Sequence, residues 1–210
     1  MPKPHPKGTA LTYGDCLTWP EDERWEIIDG QAFDMTPAPS LDHQRVSRQL
    51  CFQIQQQLEG KPCEMFSSPV DLLLPEGEVR DEDIRQVVQP DIVVVCDQEK
   101  LVGGTAIRGA PDWIIEILAP STAGKDHVRK RRLYERNGLK EYWLVSPTDR
   151  TVMVYRLADG AFGLVEIFED DAVLEPAPLP GLRVDFARVF SPRVRVVRES
   201  PAPCRSRKRS

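Results

Sequence analysis

Apolar positions recur along this chain in two rhythms. In residues 40–58, Val46, Leu50, Ile54 and Leu58 fall four apart and form one helical stripe that Ser40 is placed to cap, so a helix packed on a sheet is predicted there. Two short and nearly unbroken apolar runs, DIVVVC (91–96) and DWIIEIL (112–118), are rich in β-branched residues and bounded by Pro or Gly. Each reads as a central strand, and EYWLV (141–145) reads as another buried one. Residues 125–137 between them form a helix that Gly138 stops, so strand, helix and strand suggest a crossover unit.

The weaker patterns fill in the periphery. Residues 24–35 read as a hairpin turning at Asp29-Gly30, and 151–157 with 162–168 as a second hairpin through Asp159-Gly160, because these dipeptides suit a type I′ turn. Residues 11–17 suggest a short helix, 64–74 a strand, 75–89 an acid-rich polar loop, 175–180 a proline-rich stretch and 184–190 a closing element. No internal repeat is visible. The sum predicts an α/β fold, a central mixed β-sheet flanked by helices 40–58 and 125–137 with peripheral β-hairpins, in one domain over residues 11–190. Residues 1–10 are expected to be a flexible N-terminus. The polar, basic and proline-containing 191–210 is expected to be a disordered tail.

Composition narrows the class. The chain is 40% hydrophobic and 29% charged, as a soluble globular protein is, and no apolar run is long enough to span a membrane. Residues 1–10 lack the apolar core of a signal peptide, so a cytoplasmic location is expected. Five cysteines without a CxxC pair suggest neither a disulfide framework nor a zinc site, and reduced thiols are expected. A net charge of -5 argues against broad coating of nucleic acid, but the charge is uneven: residues 125–136 carry six basic residues against two acidic ones. Any phosphate contact belongs to that segment.

Asp91 begins one apolar strand and Glu116 sits inside another, where an unpartnered carboxylate is costly to keep ionised. A hard cation such as magnesium is a natural partner, since it takes oxygen ligands from one or two carboxylates plus water and phosphate. The structural alternative is that Asp91 caps a strand end and Glu116 pairs with an arginine. On a helical wheel at about 100° per residue, Lys130 falls on the core-facing side with Leu133, Tyr134 and Asn137, while Arg129, Arg131, Arg132, Glu135 and Arg136 point away. Such a lysine wants an anion, unless it snorkels to solvent or pairs with Asp126.

Several motifs in order carry a family likeness. WEIIDG (25–30), His43, QPDIVVV (89–95), WIIEILAPST (113–122) and the run from Lys130 through LYERNGLKEYWLVSP resemble the Uma-two family of restriction-endonuclease-like proteins, within the PD-(D/E)XK nuclease superfamily. The likeness covers roughly residues 11–190. It implies a restriction-endonuclease-like core and a Mg2+-dependent endonuclease, with Mn2+ able to substitute, that hydrolyses phosphodiester bonds in nucleic acid, DNA foremost. By the same resemblance Asp91 and Glu116 are metal ligands and Lys130 is the catalytic cation. The superfamily's usual lysine two residues after the second acid is replaced here by Leu118, and the family supplies it from the following helix at Lys130.

Glu26 and His43 are second-tier candidates by resemblance, against readings as a hairpin surface acid and a helix-cap histidine. Tyr134 and Trp143 are taken as core aromatics. Ser121, Thr122 and Lys125 could cradle phosphate at a helix start, although helix capping accounts for the hydroxyls equally well. A competing function is an inactive nuclease-fold module that binds DNA or protein. A homodimer would suit cutting of both strands of a duplex.

Overall fold

The computed structural model describes residues 10–20, 23–35, 39–119 and 125–190, with Lys125 and Asp126 placed by backbone only. The expectations for residues 1–9, for the tail 191–210 and for a phosphate cradle at Ser121, Thr122 and the Lys125 side chain therefore lie outside the described residues.

Along the chain, α1 (Tyr13–Cys16) precedes a hairpin of β1 (Trp25–Ile28) and β2 (Gln31–Asp34), then the long α2 (Leu41–Leu58). Next come β3 (Glu64–Ser67), β4 (Asp71–Leu73), β5 (Val87–Val88), β6 (Ile92–Val95), β7 (Leu101–Val102), β8 (Ala106–Arg108) and β9 (Trp113–Ile117). Helix α3 (Lys125–Arg136) leads to β10 (Glu141–Ser146) and β11 (Thr151–Ala158). The chain closes with β12 (Ala161–Phe162), β13 (Glu166–Phe168), β14 (Val173–Leu174), β15 (Val184–Asp185) and α4 (Phe186–Val189).

The main sheet has the order β12-β11-β10-β9-β6-β3, with β13 also on β11. It is mixed: β9 and β10 run parallel, joined through α3, whereas β6 with β9, β3 with β6 and β10 with β11 are antiparallel. A parallel pair needs such a crossover, so the strand, helix and strand order read from the sequence is present. The unbroken apolar runs are explained by burial of both faces. Ile92, Val94, Trp113, Ile115 and Ile117 pack against the α2 stripe of Val46, Leu50, Ile54 and Leu58. The alternate positions Val93, Val95 and Ile114 pack with Leu133 and Tyr134 of α3 and with Leu72, Leu74 and Val88 of a second sheet.

That second sheet, β2-β1-β5-β4-β8-β7, was not foreseen. Residues 64–74 are not one strand: they divide at Ser68-Pro69 into β3 of the main sheet and β4 of the second. Pro69 offers no N–H to carry a ladder on. The loop 75–89 ends in β5, which lies between β1 and β4. Both hairpin turns are as read, with positive φ at Asp29 (53°), Gly30 (71°), Asp159 (52°) and Gly160 (80°), but 162–168 forms two separate strands on β11.

The cysteine expectation is corrected. Cys63 and Cys96 are joined by a disulfide, while Cys16 and Cys51 form no disulfide among the described residues. The β3–β6 register pairs Glu64 with Val95, so the next residues outward on the two strands face each other, with Cα atoms 3.9 Å apart. Among the described residues no helix is long and apolar enough to cross a membrane.

Asp112 ties β6 to β9. Its carboxylate accepts a hydrogen bond from the Cys96 N–H (2.8 Å) and one from the Lys140 ammonium (2.6 Å). Burial pushes its pKa up, but Lys140 and the Cys96 N–H outweigh that and hold it below the usual carboxylate range. A depressed folded-state pKa gives stability that is present above the unfolded value, about 3.9, and is lost as pH falls through the folded value. Asp112→Asn is expected to lose about 1–3 kcal/mol in urea unfolding at neutral pH. The gap to the wild type should close in acid; a gap that stays constant would assign the effect to hydrogen-bond geometry rather than charge.

Candidate active site

The antiparallel register of β6 and β9 pairs Ile92 with Ile115. Carried one residue further, it sets Asp91 opposite Glu116, on the sheet face shared by Val93 and Ile114 that α3 covers. Asp91 Oδ2 accepts the Ile117 N–H at 2.7 Å and lies 3.2 Å from Nε2 of His43. His43 comes from the first turn of α2, where its own N–H donates to the cap Ser40 Oγ at 3.2 Å.

Glu116 is met from the helix above. Its Oε1 accepts the Lys130 ammonium at 3.0 Å and the Tyr134 hydroxyl at 2.8 Å. Lys130 and Tyr134 are four apart on α3, so both project from one side. Lys130 also reaches Glu26 Oε1 on β1 at 2.7 Å, and that oxygen accepts the Gln89 N–H at 2.9 Å. The side chains are enclosed: Lys130 is 9%, Glu116 12% and Glu26 6% exposed, and Asp91 is the most open at 20%.

Burial of Glu116 raises its pKa to about 7; Lys130 pulls it down, while Asp91 and Glu26 push it up again. Burial works against the charge on Lys130, yet Glu116 and Glu26 outweigh it and hold its pKa well above the usual lysine range. For His43 too, burial disfavours the cation, but the Asp91 carboxylate prevails and the net shift is upward. The Tyr134 phenol is pushed up by burial and then by Glu116, so it stays a donor. Negative charge is in excess: Glu26, Asp91 and Glu116 face Lys130 and one imidazole.

These residues fit a hard divalent cation. Asp91 uses only Oδ2, and Glu116 and Glu26 only Oε1, in their hydrogen bonds with described residues. One oxygen of each carboxylate is left for another partner. Among the described residues no three His, Cys, Asp or Glu side chains converge as a self-sufficient cage. A cation here would complete its shell from water and substrate oxygens, as magnesium does.

The structure therefore brings together all five residues singled out in the sequence. Glu26 is not a surface acid, and His43 does more than sit in a cap. Tyr134, read as a core aromatic, is that and also a donor to Glu116; its spacing from Lys130 was the available signal. The outer face of α3 is not simply solvated. The Arg129 guanidinium lies 4.7 Å over the Phe33 ring and that of Arg131 5.8 Å over Tyr155, Glu135 accepts the Phe162 N–H at 2.7 Å, and Arg136 donates to Asp29 at 2.6 Å.

The architecture is similar to a crystal structure from Anabaena variabilis ATCC 29413 described as "a putative nuclease belonging to DUF820", with a TM-score of 0.69 over 86% of this chain and 98% of that one. At 23% identity the likeness speaks for the fold, which is restriction-endonuclease-like. The chain belongs to the Uma2 family, whose description is "Putative restriction endonuclease" and whose profile matches residues 13–187. It is also 29% identical over 187 residues to the uncharacterized protein slr1290 of Synechocystis sp. (strain ATCC 27184 / PCC 6803 / Kazusa), covering 88% of this chain and 90% of that protein.

Proposed function

We propose that this protein is a magnesium-dependent endonuclease hydrolysing phosphodiester bonds in nucleic acid, DNA in particular. The observation that carries the reading is the buried Lys130 shared between Glu26 and Glu116, with Asp91 opposite Glu116 on the same sheet face. Family membership supports it. Asp91 and Glu116 would hold the cation, and Mn2+, with the same preference for oxygen ligands, would substitute. When bound, the metal supplies Lewis-acid polarisation of the phosphate and a lowered pKa for water.

The protein's own groups do the rest. His43 and the Ile117 N–H fix Asp91 through one oxygen, and Tyr134 with Lys130 fixes Glu116 through one oxygen, so the other oxygen of each is held in a defined direction. Preorganised groups of this kind need no rearrangement as charge develops. Lys130 would orient the attacking water and stabilise the negative charge that builds on the phosphate oxygens. Glu26 holds Lys130 from the hairpin side. Cutting both strands of a duplex would employ a second copy of the chain.

A metal-titrated cleavage assay on supercoiled plasmid, linear duplex and single-stranded DNA tests the proposal. Supercoiled plasmid should be nicked or linearised in Mg2+ or Mn2+, and EDTA, Asp91→Asn or Glu116→Gln should abolish this. Binding without cleavage under every metal would leave a nuclease-fold binding module instead.

A further inference from the structure

Two guanidinium groups flank the site on the β1–β2 hairpin. Arg24 immediately precedes β1, and its carbonyl accepts the Met35 N–H at 3.0 Å, which carries the hairpin ladder one residue beyond Trp25 and Asp34. Side chains alternate along a strand, so Arg24 shares the face of Glu26. Phe33 is the cross-strand partner of Glu26 and shares that face too, and the Arg129 guanidinium lies 4.7 Å above its ring. Arg24 and Arg129 thus stand on either side of Glu26, the residue that holds Lys130.

Both are held by neutral groups. Arg24 donates from Nε and Nη2 to Gln89 Oε1 (3.1 and 2.9 Å) and from Nη2 to Ser68 Oγ (2.7 Å). Gln89 is itself fixed, its Nε2 donating to Asp71 at 2.9 Å, and the Ser68 N–H donates to the Asp91 carbonyl at 3.0 Å. Arg24 is therefore anchored to the two segments that bracket Asp91, and its Nη1 has no partner among the described residues. Among those residues neither Arg24 nor Arg129 pairs with a carboxylate, whereas Arg45 is neutralised by Asp42 and Arg136 by Asp29. Neutral anchors orient a guanidinium without using its charge. Beside a cluster of three carboxylates, in a chain of net charge -5, a phosphate strand needs such cations to approach.

We propose that Arg24 and Arg129 are a phosphate clamp that seats the sugar-phosphate backbone of a nucleic-acid strand across the β1–β2 hairpin, holding phosphates other than the one being cut. This rests on the nuclease reading and adds the substrate path. A guanidinium suits the role because its planar fork matches phosphate oxygens.

The test is fluorescence anisotropy of a fluorescein-labelled DNA duplex with the full chain, in calcium without magnesium, and with the duplex checked intact on a gel. Arg24→Gln and Arg129→Gln should each weaken binding roughly tenfold and each lower the slope of log affinity against log salt by about 1. The double variant should lower the slope by about 2, and Arg45→Gln, removing an already paired charge, by nothing. Lysine at either position should restore the slope but not the full affinity, because charge returns without the fork. Wild-type binding with an unchanged slope in the double variant overturns the clamp and leaves the nuclease proposal standing. A wild type that binds neither duplex nor single strand overturns both. Should Arg24→Gln lower the melting temperature, the exposed Arg129 decides alone, and an unchanged slope there overturns the proposal.

Discussion

Replacing Lys130 with methionine is expected to lower cleavage by roughly 10²-fold or more, the usual cost of losing an acid–base or electrostatic group. Methionine keeps the length and the apolar stem but removes the ammonium that sits 2.7 Å from Glu26 and 3.0 Å from Glu116. Two buried carboxylates then lose their shared cation. Breaking a buried pair from one side costs about 3–5 kcal/mol when the remaining charge has no relief. Relief exists here, because Glu116 already takes up a proton near neutrality, with a pKa of about 7. The cost should therefore be smaller than that range and smaller still in magnesium. Rates belong at saturating metal and per folded molecule, since losing a positive charge tightens cation binding and would mask part of the loss. Arg132→Met, on the exposed side of the same helix, should leave the rate nearly unchanged. If Lys130→Met cleaves like the wild type while Asp91→Asn is inactive, Lys130 is not the catalytic cation.

How much of this site could be read beforehand follows from how local each signal is. Lys130 was legible because a helical wheel needs only its own segment, and Leu133 and Tyr134 beside it are indeed buried. Asp91 and Glu116 were legible as acids in apolar strands, and their opposition follows once β6 and β9 are paired. Glu26 needed more. The hairpin pattern places it on β1 but cannot tell that its face turns toward α3 rather than solvent, because that depends on where the second sheet docks. Such long-range facts were the ones missed. β5 and β7 are two residues each, too short to show a period, and they exist because of partners remote in sequence. The Cys63–Cys96 bond spans 33 residues and becomes evident only with the β3–β6 register in hand.

The largest loss of stability is expected at a residue that the sequence presented merely as part of a buried strand. Glu141, at the start of β10, is fully buried. Its Oε1 accepts the Trp143 indole N–H at 2.5 Å, its Oε2 accepts the Ala177 N–H at 2.8 Å, and Arg156 lies 3.4 Å from Oε2. One carboxylate thus satisfies donors from its own strand, from β11 and from the proline-rich stretch that closes over the core. Glu141→Ala removes all three acceptor contacts, leaving a buried indole N–H, a backbone N–H and a cavity. The expected cost is about 3–5 kcal/mol, a large share of the roughly 5–15 kcal/mol that holds a domain folded. Glu141→Gln keeps the shape and one acceptor oxygen but turns an amide donor toward a donor, for about 1–3 kcal/mol. Urea unfolding should rank the wild type first, glutamine next and alanine last. Catalysis should respond differently, because the β9–β10 register pairs Glu141 with Trp113 and Leu144 with Glu116, setting Glu141 about 10 Å along the strand from the level of the site. Cleavage per folded molecule should stay within a few-fold of wild type. A loss per folded molecule as deep as that of Lys130→Met would place Glu141 in the catalytic machinery, and a cost below about 1 kcal/mol would show that water takes over as acceptor for the Trp143 and Ala177 N–H groups.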